Sequence, residues 1–183
     1  MQLILLFSVF AALVILAVSI ADQLPSLEAD EFGILLATTG IGMGVSAAIV
    51  GGLEQKFTNS QLSLIGSVGV SASLFGLSVA TQNLSLTLIM TASMGSFAAL
   101  IGIPMQTTIQ AETPPDMRGK VFGLQNNAVN IALSLPLVLA AQAEAMFGLR
   151  FVIIGLAVIM ALGAIISFYS GGNEIKASKS LSQ

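Results

Sequence analysis

The 183-residue chain has no cysteine, no histidine and no tryptophan. Without Cys there are no disulfides and no thiolate chemistry, and without His there are no imidazole metal ligands and no histidine base. Charge is scarce as well. Six Lys or Arg and nine Asp or Glu make up 8% of the residues, where a soluble domain has about a quarter. The net charge of −3 is spread thinly, with no basic patch for nucleic acid to bind. Every charged residue also falls in a gap between long apolar stretches, so no two carboxylates within one are available for an oxygen-only cation site. No metal, no cofactor and no enzyme activity are expected.

Apolar length fills the rest, with 55% of residues hydrophobic. A hydrocarbon core of roughly 30 Å is crossed by about 20 helical residues. Stretches of that length lie at about 2–20, 33–53, 61–80, 84–105, 123–143 and 151–170. Backbone groups in lipid must be satisfied within the chain, and runs this long exceed barrel strands, so each stretch predicts a helix. The expected architecture is all-α and polytopic, with one six-helix transmembrane domain over 1–170 and a short solvated tail over 171–183. The first stretch also has the length to suggest a signal peptide. No Lys or Arg precedes it, however, and Val18-Ser19-Ile20 is a poor cleavage site, so a retained span is expected.

Basic residues in the loops set the expected orientation, because cytoplasmic loops collect Lys and Arg. Alternating the loops between sides puts Lys56, Arg118, Lys120, Lys176 and Lys179 on one face and Arg150 on the other. The first face is therefore expected to be cytoplasmic, together with both termini of a plasma (inner) membrane protein.

Lipid supplies no hydrophobic drive for helix association, so small residues in register matter. Gly40, Gly44, Ala48 and Gly52 repeat every fourth position of the second stretch and predict a packing face; Thr91, Gly95 and Ala99 repeat the pattern in the fourth. Pro104 and Pro136 lie within the fourth and fifth stretches, where each removes a backbone donor and crowds the carbonyl of Leu100 or Ala132, predicting kinks.

The fifth stretch opens with Gln125, Asn126 and Asn127, followed by Asn130 and Ser134; Asn126, Asn130 and Ser134 share one face. Amides of this kind avoid lipid and take partners between helices or along a water-filled cavity. Asn127, Asn130, Ser134 and Gln106 are thus candidates for a substrate path. The alternative is interhelical glue, at about 0.6 kcal/mol per contact. Gln125, Asn126 and Gln110 read as residues at headgroup level.

The loop Gln110-Ala-Glu-Thr-Pro-Pro-Asp-Met-Arg-Gly-Lys-Val-Phe-Gly123 has a Pro pair that ends one helix, Asp116 placed to cap the next, and Gly119 beside two cations. With the Gln-rich end before it and the Asn- and Pro-bearing helix after it, this loop resembles the major facilitator superfamily, particularly its drug, macrolide and siderophore exporter branch. The resemblance implies a C-terminal half, with these spans as family helices seven to twelve. It also implies that Asp116, Arg118 and Lys120 serve a cytoplasmic gate, joined by Glu54 and Lys56 from a shortened counterpart of the family's other signature loop, Gly51-Gly52-Leu53-Glu54-Gln55-Lys56-Phe57. The expected partners are the lipid bilayer, a small amphipathic solute and either a second six-helix half or another copy of the chain. The spans contain no ionisable residue to carry a coupling proton. The competing expectation is a non-transporting membrane scaffold or assembly partner.

Overall fold

A computed structural model describes residues 14, 16–24, 29–80 and 82–180, without the side chains of 29, 30, 132, 133, 135, 137 and 167–180. The described residues are helices joined by short turns. Residues 14 and 16–23 form the described part of α1, and the rest of the expected first span lies outside the described residues. A 3-10 turn, Ala29–Phe32, leads into α2 (Gly33–Leu53); α3 (Asn59–Ala80), α4 (Leu84–Glu112), α5 (Arg118–Phe147) and α6 (Leu149–Ser180) follow. Four helical segments are long and apolar enough to cross a membrane, namely Gly33–Leu53, Asn59–Ala80, Leu84–Glu112 and Leu149–Ile166. Among its described residues α5 offers a shorter apolar run, Val138–Phe147. The helix of α6 continues through the expected tail as far as Ser180.

Local chemistry explains the helix boundaries. Thr58 and Gln61 exchange bonds at the start of α3: the Thr58 N–H donates to Gln61 Oε1 at 3.0 Å and the Gln61 N–H to Thr58 Oγ1 at 3.3 Å. This reciprocal cap satisfies two donors left over by the first helical turn. Asn83 caps α4, its Oδ1 accepting from the Leu86 N–H at 3.2 Å. At the far end of α4 the Thr113 hydroxyl donates to Ile109 O at 2.6 Å, and Pro114 and Pro115 then stop the helix. Asp116 does not cap α5 as expected. The N-cap is Met117, with no side-chain bond, because a 3-10 turn over Pro115–Met117 moves the carboxylate off the cap position. Between α5 and α6 the chain reverses at Gly148, whose φ of 84° suits a residue without Cβ. Both prolines are accommodated: Pro104 lies within α4 and Pro136 within α5, and neither helix breaks there.

The helices pack around α3 and α4. α4 lies between α2 and α3, and α6 packs on the other side of α3. The α2–α4 seam is a backbone contact. A Cβ on Gly42 would meet Ala92 O, and one on Gly95 would meet Thr39 O and Met43 N, so the two glycines let the helices touch at their crossing. Ser96 spans the seam, its hydroxyl shared between Gly42 O and Ala92 O at 3.0 Å each. The expected stripe of Gly40, Gly44, Ala48 and Gly52 is exposed and does not form this seam. The buried face of α2 is Leu35, Thr39, Gly42, Ser46 and Val50. The steps of three and four that point at α4 run through Gly42, and the stripe turns away from it.

Along α3, Gly69 makes room for the Phe97 ring of α4, and the Ser71 hydroxyl donates to Ala157 O of α6 at 2.8 Å. Leu16, Ile20, Leu24, Leu35, Leu74, Leu77, Met94 and Ile153 belong to one buried cluster. That cluster reaches the start of α2, the last turns of α3 and the start of α6. At the opposite end Asn59 Nδ2 donates to Thr108 Oγ1 at 2.9 Å, bringing the start of α3 against the last turns of α4. The turns bearing Lys56 and Asp116 therefore share one end of the bundle, as the alternation of loop charge anticipates.

Candidate functional site

α5 stands apart from the rest of the bundle. Its packing neighbour is α6, and among its described residues only Ala140 is buried. From Arg118 to Ile131 no residue is buried, and Asn126, Asn127 and Asn130 are exposed. Ser134 is exposed too, and its hydroxyl donates to Asn130 O at 2.8 Å, one turn back along the helix. The amide face of α5 is thus an open surface of the chain. That arrangement argues against glue within the described bundle, because no described helix covers this face.

Gln106 and Gln125 are brought together. Gln106, half-buried near the end of α4, accepts a bond of 2.9 Å from Gln125 Nε2 in the second turn of α5. Gln125 Oε1 is shut off from solvent and has no partner. This pairing was not anticipated for Gln125, which in sequence looks like one more polar residue at the head of a membrane helix. A usable signal was present: Gln106 and Gln125 lie at similar distances from the turn that joins their helices, so a hairpin places them side by side.

The residues expected at a gate lie at the same end. Asp116, Arg118, Lys120 and Lys56 are exposed, and Glu54 is half-buried at the C-cap of α2. Arg118 Nε donates to Thr113 O at 3.3 Å and so fastens the turn between α4 and α5. Among the described residues no group of three or more Asp or Glu is placed to hold a metal ion. Gln110 is exposed.

A helical bundle with spans of membrane length defines an integral membrane protein. The chain matches the family model of the Major Facilitator Superfamily over residues 1–182 and belongs to that family, whose members are membrane transporters and not, in general, enzymes. No curated protein and no solved structure matches it.

Proposed function

We propose that this chain acts as the C-terminal six-helix half of a secondary transporter, of the drug, macrolide and siderophore exporter kind, that moves small amphipathic molecules out of the cytoplasm by alternating access. In this reading the six spans are those expected from the sequence, forming one domain over 1–170 with the 171–183 segment on the cytoplasmic side of the inner membrane, as are both termini. Asn127, Asn130, Ser134 and Gln106 line the path. Asp116, Arg118, Lys120, Glu54 and Lys56 serve the cytoplasmic gate, and Pro104 and Pro136 bend their helices. The observation that carries the proposal is the exposed amide face of α5. Such a face is untenable against lipid and calls for a second half, or another copy of the chain, enclosing a watered path. Amides that both donate and accept suit solutes of varied polarity, and any coupling carboxylate belongs to the partner half.

The test is ethidium transport in proteoliposomes. The chain held as a monomer is expected to match empty vesicles, and the chain reconstituted with a six-helix partner half, or paired with a second copy, is expected to move the dye in the direction of cytoplasmic exit. Dye movement by a stable monomer would overturn the two-half arrangement. Tight association with the partner half and no flux under any gradient would favour the scaffold reading.

A further inference from the structure

We propose that Gln106 and Gln125 form a latch that holds α5 against α4 at the basic end of the bundle, and that releasing it uncovers the half-buried side of α5 that carries Gln125 and Val129; the proposal rests on α5 lining the path. The first half of α5 buries no residue, so α4 is offered no buried apolar seam there. A directional bond of 2.9 Å from Gln125 Nε2 to Gln106 Oε1 joins the two helices. Arg118 fastens the turn below, through Thr113 O, but that bond is local and leaves the helix above free to swing. Gln106 and Gln125 are therefore positioning residues.

The latch is weak by construction. Closing it makes one amide–amide bond but leaves Gln125 Oε1 enclosed and without a donor. An enclosed, unpaired carbonyl loses its hydration with nothing in exchange, which offsets the bond beside it. Opening returns both amides to water. The closed arrangement is therefore favoured by less than the bond alone would give, and binding of solute or partner half is enough to release it. Exchanging oxygen and nitrogen on both glutamines keeps the bond but does not remove the imbalance, since the orphan on Gln125 then becomes a donor. Val129 lies one turn deeper than Gln125 on the same side of α5 and is half-buried, so the latch sits between it and the basic end.

The chain has no cysteine, which makes a single introduced thiol a clean reporter. Val129→Cys is prepared in the full chain, in membrane vesicles whose basic end faces a sulfonated, membrane-impermeant maleimide. Gln106→Leu, which removes the bond and leaves the orphan, is expected to raise the labelling rate about tenfold, equivalent to about 1.4 kcal/mol in the opening equilibrium, and Gln125→Leu, which removes bond and orphan together, is expected to raise it less. Because both remove the same bond, the double variant is expected to label no faster than either single one. A thiol placed at exposed Phe57, in the α2–α3 turn at the same end of the bundle, is expected to label at an unchanged rate in all of them. Unchanged labelling at position 129, or two effects that multiply, overturns the latch. Should Gln125→Leu fail to accumulate, Gln125→Met preserves length and flexibility while removing the bond. A labelling response with no ethidium flux from the chain reconstituted with its partner half supports the latch and overturns the transport reading instead.

Discussion

A Gly42→Val chain is expected to lose about 3 kcal/mol of stability, the upper part of the usual range for overpacking, while Gly44→Val changes stability by no more than about 0.5 kcal/mol, as exposed substitutions do. The contrast follows from the α2–α4 crossing. A Cβ at position 42 runs into the backbone of Ala92, which cannot rotate aside as a side chain does; a Cβ at position 44 meets nothing within 4 Å. Gly95→Val should behave like Gly42→Val, since its Cβ meets the backbone at Thr39 and Met43 from the other side of the same contact. Unfolding midpoints in mixed micelles with rising dodecyl sulfate measure all three. Equal loss at positions 42 and 44 would mean that the exposed stripe, not this seam, holds α2 in place.

Asn130→Leu has the largest effect expected on function. Asn130 is exposed on α5 and contributes no buried side-chain bond within the chain, so the variant should fold and insert with stability within about 0.5 kcal/mol of the parent. If its amide meets solute, losing one hydrogen bond of roughly 1.4 kcal/mol lowers ethidium flux by about tenfold in the reconstituted two-half transporter. Flux per inserted molecule, measured beside membrane abundance, is the quantity that decides. Reduced abundance with unchanged flux per molecule would assign Asn130 to helix association.

Much of the architecture was legible because its cause is one-dimensional. Apolar length marks helices of membrane span, and charge confined to the gaps marks turns, so α2, α3 and α4 begin within about two residues of where composition alone puts them, well inside the usual boundary error. Loop alternation also anticipated which turns share an end, an arrangement the Asn59–Thr108 bond makes concrete. Packing was less legible. Glycine occurs at 40, 42 and 44 of the same helix, and periodicity selects the longest regular row, whereas contact selects the row aimed at α4; only the neighbour's position separates them. The serines of α3 were passed over for a related reason. Ser71 looks like an ordinary small polar residue until Ala157 of α6 is brought opposite it. At the candidate site, the polar face of α5 was visible in sequence as a row of amides, but the pairing of Gln125 with Gln106 depends on how closely two helices approach, which spacing along one helix does not specify.

The isolation of α5 bears on how the protein breathes. With α6 as its main helical neighbour and one buried residue among those described, it shares little of the free energy that binds α3 and α4 together. Its amide hydrogens should exchange through a small local opening of their own, while those around Val70 and Ala98 await disruption of the whole bundle. Protection is thus divided between a slow scaffold and a fast arm, and whatever covers the arm in the membrane will be read first as a slowing of exchange between Arg118 and Ile131.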